Sequence, residues 1–323
     1  MMKHAQSQLP ADRRSEMDKA GRLAWLSIAW LISTIVLLGC VMAGSEAVKT
    51  ELVGDALSII PSALFLVGAR LGARRPSANY PYGFGRAVSA AYLGASLALL
   101  ATGVYLLADA VSALVKLEHP TFGAFTIFGH TVWQGWLALP ALAWGGIPAI
   151  FLGRAKTKLA ERLNDKVLAA DGRSSSADWK SAGAAIVGVI GIAFGLWWMD
   201  AVAAIFISFD ILSDGLSDVR SALADLMNRR PQSLKEETTD PLPATLTRFL
   251  KSQDWVEDAV VRLREEGRYF VGEAFVAVRD GINPLDRIDQ TSAAIKAMDW
   301  RLADVVIAPV RQIPDEVLKV RPA

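Results

Sequence analysis

The sequence predicts an α-helical membrane protein, with six transmembrane helices followed by a small α+β domain on the cytoplasmic side. Three observations predict it. Of 323 residues 52% are hydrophobic, and between Leu23 and about Leu226 they gather into long runs separated by short polar segments. The runs approach the ~20 helical residues needed to cross a ~30 Å hydrocarbon core. From Asn228 onward the composition is that of an ordinary soluble domain.

Six stretches have the required length: Leu23–Ala43, Val48–Leu71, Ala87–Leu114, Trp133–Leu152, Leu168–Trp198 and Ala201–Leu223. The fifth is the weakest, because Asp171, Arg173, Asp178 and Lys180 occupy its first half, although Ala182 to Trp198 is almost wholly apolar. A soluble helical bundle fits poorly. Its surface helices need a polar face, and a run such as Leu97–Leu107 has none. The chain therefore divides into an N-terminal segment 1–21, a transmembrane domain 22–228, a linker 229–243 and a terminal domain 244–323.

Charge placement orients the spans. Lys+Arg and Asp+Glu nearly cancel at 34 against 33, which gives no reason to expect a nucleic-acid partner. Basic residues near span ends are retained on the cytoplasmic side. Arg70, Arg74, Arg75 and Arg86 follow the second span, and Arg154, Lys156, Lys158, Arg162 and Lys166 follow the fourth. The N-terminal segment adds Lys3, Arg13, Arg14, Lys19 and Arg22, whereas the opposite loops hold only Lys49 and Lys116. Both termini are thus expected in the cytoplasm, with the chain integral to the cell's inner or plasma membrane. Trp133, Trp136, Trp197 and Trp198 fall at the outer interface. Met1 to Ala20 has no short apolar stretch ending in a cleavage pattern, so no cleaved signal peptide is expected. The single cysteine, Cys40, offers neither a disulfide framework nor a thiolate site.

The terminal domain reads as α-β-β-α-β. A helix is expected over Ala244–Gln253, strands over Ala259–Arg264 and Tyr269–Val278 joined at Glu266-Gly267, a helix over Leu285–Met298 and a strand over Asp304–Pro309. That order suits a small sandwich of ferredoxin-like type. It contains no histidine and no cysteine, which disfavours a soft-metal site within it.

Ionisable residues at membrane depth are costly and mark function. Asp55, Ser58 and Ser62 stand at i, i+3 and i+7 in the second span, and Asp171, Ser174 and Asp178 repeat that spacing in the fifth. Such positions share one helix face, so two oxygen-bearing stripes can converge on one cleft. Glu51 extends the first stripe by a turn, and Pro61 frees the carbonyl of Leu57 beside it. Carboxylates gathered in one cleft repel when all are ionised. A divalent cation relieves that repulsion, and so do protons. Oxygen ligands suit Mn²⁺, Mg²⁺ or Fe²⁺, whereas zinc favours nitrogen and sulfur. His4, His119 and His130 all lie outside the apolar runs. No nucleophile–base pair occurs at membrane depth, so an intramembrane enzyme is not expected.

With these residues in view, the chain resembles the cation diffusion facilitator family over about residues 20–310. The resemblance is carried by Gly54-Asp55-Ala56-Leu57, by Pro81-Tyr82-Gly83-Phe84-Gly85-Arg86, by Ala170-Asp171 through Asp178, and by Ile211-Leu212-Ser213-Asp214-Gly215 through Leu226-Met227. It implies six spans, a ferredoxin-like cytoplasmic domain, a homodimer, and efflux of divalent metal in exchange for protons, with the metal as substrate and no permanently bound cofactor. The family's metal ligands, carried onto this chain, fall on Ser58, Ser62, Ser174 and Asp178, and only Asp178 keeps a carboxylate. Asp55 and Asp171, one turn away, are the candidates to replace the missing ligands. Tyr80 and Phe84 stand where histidines often flank the Pro-Tyr-Gly segment, so a peripheral metal site there is not expected. Which of Mn, Fe, Mg, Co or Zn is carried stays open. The alternative is a non-transporting scaffold or regulatory partner that keeps the fold with a degenerate site.

Overall fold

The computed structural model describes residues 10–41, 46–117, 124–127, 130–133, 135–196, 198–234 and 238–319. The expectations for His4, Ala43, His119, Trp197 and Lys235-Glu236-Glu237 fall outside these residues, and the side chains of Lys49, Glu51, His130 and Trp133 are likewise outside them. The described chain forms two compact units. One comprises the described residues within 12–71 and 90–222, and the other those within 10–11, 72–89 and 223–319.

The first unit is built on long helices: α1 (Ala11–Val41), α2 (Glu46–Gly72), α3 (Gly85–Val115), α4 (Gly135–Leu163), α5 (Lys166–Ala193) and α6 (Met199–Leu226). Four of them, α1 to α4, are long and apolar enough to cross a membrane by length and composition. α5 and α6 are not among those four. The sidedness of α1 explains why its apolar content is so high. Ala24, Ser27, Leu31, Thr34 and Leu38 form a buried seam, while Trp25, Leu26, Ile32 and Val36 face outward. Large apolar residues cover the exposed face, as lipid requires and water does not. The seam's two hydroxyls are satisfied inside the helix, Ser27 donating to Leu23 O at 2.9 Å and Thr34 to Trp30 O at 3.2 Å.

α4 holds Pro140 and Pro148 within its length. A proline cannot donate to the carbonyl four residues before it. For Pro148 that carbonyl belongs to Trp144, and the Trp30 indole of α1 donates to it at 3.1 Å.

One helix of this unit starts earlier than the expected span, and one expectation is corrected. α1 begins at Ala11, so residues assigned to a polar N-terminal segment are already helical. There Arg13 and Arg162 both bind Glu16, at 2.8 and 3.0 Å, fastening the start of α1 to the end of α4. The fourth span was expected at Trp133–Leu152. Trp133 instead ends a two-stranded hairpin, β1 (Ala124–Ile127) with β2 (His130–Trp133), and the helix continues to Leu163. What was read as a basic loop after this span is therefore mostly helix. Asn164, at φ 48°, closes it, and Asp165 N donates back to Ala160 O at 3.0 Å, the usual left-handed helix stop. Asp165 then caps α5 by accepting from Leu168 N at 3.0 Å. Asn228, at φ 62°, ends α6 the same way, with Arg229 N donating to Ala224 O at 3.0 Å.

In the second unit the tail follows the expected α-β-β-α-β order: α7 (Leu242–Lys251), β3 (Val256–Glu266), β4 (Tyr269–Val278), α8 (Leu285–Met298) and β5 (Leu302–Val310), followed by a short α9 (Asp315–Leu318). The sheet order is β3-β4-β5, with β3 antiparallel and β5 parallel to β4. β3 is longer than expected at both ends, and Val256 at its start is fully buried behind Trp255. Leu246 and Leu250 of α7 and Ile295 of α8 pack with Val261, Phe270, Val276 and Ile307 on one side of the sheet, while α9 packs Val317 with Val260 on the other. Gly267 turns the β3–β4 hairpin at φ 67°. A Cβ there would lie 3.0 Å from Gly85 O, at the start of α3. Arg86, one residue on, donates to Leu226 O at 3.4 Å and to Asn228 Oδ1, placing a cation at the C-terminus of α6.

Candidate metal-cation site

The site lies wholly within the first unit. α4 and α5, joined only by Asn164-Asp165, run antiparallel, and glycines let their backbones approach. A Cβ on Gly153 would lie 3.2 Å from Gly172 O, and one on Gly172 would lie 2.7 Å from Thr157 Oγ1. Small residues at such a crossing are what close helix packing in a membrane uses.

The predicted stripes do meet, in two layers. In one layer Ser58 Oγ donates to Asp178 Oδ1 at 2.5 Å. Asp178 also lines a small cavity with Asp55, Gly54, Thr102, Ala177 and Ser181. Carboxylates from α2 and α5 therefore face one cavity, and α3 contributes a hydroxyl. Asp55 and Ser58 are 5% and 3% exposed.

The other layer is Ser62, Asp171 and their neighbours. Ser62 Oγ donates to Asp171 Oδ1 at 2.6 Å. Lys156 of α4 enters the same cluster, with its Nζ 2.9 Å from Asp171 Oδ1, 3.2 Å from Ser62 Oγ and 3.1 Å from Ser175 Oγ. Both charged side chains are 1% exposed. Lys156, expected as a loop charge, is thus a buried counter-ion. Ser174 is also buried, at 3% exposed, yet it is Ser175 that bonds the ammonium.

Arg173 and Lys180 of α5 bind α6. Arg173 grips Asp218 in a two-pronged contact at 2.7 and 2.6 Å, and Tyr92 of α3 donates to the same carboxylate at 3.1 Å. Lys180 pairs with Asp210. Arg173 and Lys180 are seven residues apart, and Asp210 and Asp218 are eight apart, so the two pairs fasten one α5–α6 seam.

Reading the sequence missed Thr102, Ser181, Ser175 and Lys156. Ser181 was within reach, since it continues the 171-174-178 stripe by one more step. Thr102 is one of several hydroxyls in its span, and nothing in its spacing ties it to Asp55. Among the described residues no three His, Cys, Asp or Glu side chains converge as a ready-made metal cluster. The cavity offers two carboxylates supplemented by hydroxyls.

Comparison with known proteins bears on the chain as a whole. The family model for the cation efflux transmembrane domain matches residues 23–227. The manganese efflux system protein MneS of Bacillus subtilis is 26% identical over 61% of this chain and 64% of its own length. The uncharacterized transporter YdbO of the same organism is 26% identical over 66% of this chain and 71% of its own. Mitochondrial metal transporter 2 of Saccharomyces cerevisiae is 20% identical over 76% of this chain, which spans about half, 51%, of that relative. These relatives are transporters by name, not enzymes. On the match across residues 23–227, the chain belongs to the cation efflux family.

Proposed function

We propose that the protein exports a divalent metal cation across a membrane in exchange for protons. The observation that carries this reading is the single cavity shared by Asp55 of α2 and Asp178 of α5. A dication between two carboxylates balances their charge, and protons can do the same when it leaves, so the two compete for one place. Asp178 and Asp55 supply the charge, and Ser58, Thr102 and Ser181 supply neutral oxygen. Ser62, Asp171 and Ser174 form the adjoining layer on the cytoplasmic side, given an orientation with both termini in the cytoplasm and six spans. The orientation is supported by Arg70, Arg74 and Arg75, which are exposed at the end of α2.

The donor set favours a hard or borderline ion. Carboxylate and hydroxyl oxygens suit Mn²⁺, Fe²⁺ or Mg²⁺, with Co²⁺ next, and offer Zn²⁺ none of its preferred nitrogen or sulfur. Similarity to a protein named for manganese efflux points the same way. Two copies joined through their tails are the expected assembly. Alternating exposure of the site to the two sides would come from rocking of the helix bundle around a fixed ion.

The absence of a three-acid cluster among the described residues favours the second reading, a scaffold that keeps the fold and carries nothing. Binding distinguishes the two. Purified protein titrated with Mn²⁺, Fe²⁺, Mg²⁺, Co²⁺ and Zn²⁺ should bind Mn²⁺ or Fe²⁺ best, and Asp178→Ala and Asp55→Ala should each weaken that binding. No saturable binding of any of the five ions by the wild type supports the scaffold.

A further inference from the structure

Lysine is among the residues least often buried, and an ammonium inside a bundle persists only where its donors are met and its charge is balanced. Lys156 meets both conditions. Its three N–H groups have three oxygen acceptors, Asp171 Oδ1, Ser62 Oγ and Ser175 Oγ, at 2.9 to 3.2 Å. The acceptors come from α2 and α5, the two helices that frame the cavity of Asp55 and Asp178. One carboxylate and two hydroxyls around a cation make an oxygen cage, and here the caged cation is covalently part of the chain. The second carboxylate oxygen, Asp171 Oδ2, is buried and has no hydrogen-bond partner among the described residues. The cage therefore has unused acceptor capacity that the ammonium does not reach.

From this we infer that Lys156 is the tethered resident cation of the layer formed by Ser62, Asp171 and Ser175, and that it keeps this layer from holding a second dication. It acts as a positioning and specificity residue through charge, and it touches no transported ion itself. The inference deepens the proposed function, resting on the reading that Asp55 and Asp178 hold the transported ion. Asp171 has the right spacing for a ligand, but its charge is spent on Lys156, so one ion is held per protomer and it sits in the layer of Asp178. A divalent ion brought to Asp171 would stand against an ammonium already 2.9 Å from the same carboxylate oxygen. Like charges at that range exclude each other.

The test is Mn²⁺ binding counted by equilibrium dialysis with metal analysis, on the full chain in detergent. Wild type is expected to bind one Mn²⁺ per protomer. Lys156→Gln keeps a polar side chain but removes the charge, and is expected to bind two. Lys156→Arg is expected to stay at one. The double variant K156Q/D171N removes both charges of the pair and so stands in for Lys156→Gln should that variant fold poorly. It is expected to return to one ion, at an affinity within about 10-fold of wild type, whereas Asp178→Asn should lose about 100-fold or more, beyond what outer-shell partners of a metal cost.

Lys156→Gln holding at one ion overturns the inference. So does a double variant that loses affinity as Asp178→Asn does, since Asp171 would then be a ligand of the transported ion. Failure of the underlying reading looks different, because wild type would bind no Mn²⁺ or Asp178→Asn would bind it normally. In the former case, one ion gained by Lys156→Gln still supports the tethered-cation role, and none gained overturns it.

Discussion

Replacing Lys156 by methionine keeps most of the side-chain volume and removes the charge opposite Asp171. At 2.9 Å and an effective dielectric of about 20, the attraction within this pair is about 6 kcal/mol, against a desolvation cost of several kcal/mol for each ion. The net worth of the pair is therefore small. The cost of breaking it is not, since Asp171 is 1% exposed and would be left buried without its counter-charge. Losing one partner of such a pair costs about 3–5 kcal/mol, while replacing both with uncharged groups is close to neutral. Lys156→Met and Asp171→Asn should each destabilise the protein by that amount, and K156M/D171N should recover to within about 1–2 kcal/mol of wild type. For a domain of this size the single variants should lower the melting temperature by on the order of 10 °C. Thermal unfolding of the detergent-purified protein, followed by circular dichroism, measures it. Equal melting of all four proteins refutes the reasoning, as does a double variant no more stable than either single one, because the pair would then be solvated or uncoupled.

Three further outcomes follow from the geometry. Asp165→Ala removes the cap on Leu168 N and should cost about 1 kcal/mol, read in the same melting experiment, with Asp165→Asn close to wild type. Gly153→Val puts branched carbon where a first Cβ would already lie 3.2 Å from Gly172 O. It should cost about 1–3 kcal/mol and reduce metal binding although Gly153 carries no polar group, and wild-type binding with wild-type melting argues against the close crossing. In the tail, burial raises the phenol of Tyr269 above its ordinary value, while the nearby Arg268 acts the other way. The folded tail thus holds this proton more tightly than the unfolded chain does. Its stability contribution is complete below about pH 10 and is lost as the pH rises from there through the folded value. Tyr269→Phe should flatten that alkaline decline in a denaturant titration.

How much of this was legible beforehand depends on what each feature is made of. Hydropathy found the long helices because apolar runs facing lipid are read directly from composition, and the tail's order followed from alternation and turn residues such as Gly267. The stripes at 55-58-62 and 171-174-178 were visible because helical spacing fixes which side chains share a face. The spacing did not reveal which layers would pair. α2 and α5 run in opposite senses, so Ser58 meets Asp178 and Ser62 meets Asp171. Lys156 was misassigned for a physical reason. Hydropathy reports contact with lipid, and it falls at Arg154, whereas the helix is ended only by the left-handed turn at Asn164. Between those two points a lysine can be helical, inward-facing and buried. The β1–β2 hairpin escaped notice because each of its strands has only four residues.

In the proposed function, carboxylates from two helices hold one dication in exchange for protons. Its most direct test is Mn²⁺ transport into vesicles reconstituted with the purified protein, with internal pH followed at the same time. Mn²⁺ movement coupled to opposite proton movement is expected in wild type, and loss of both in Asp178→Asn and Asp55→Asn. Undiminished coupled flux in those two variants would contradict it.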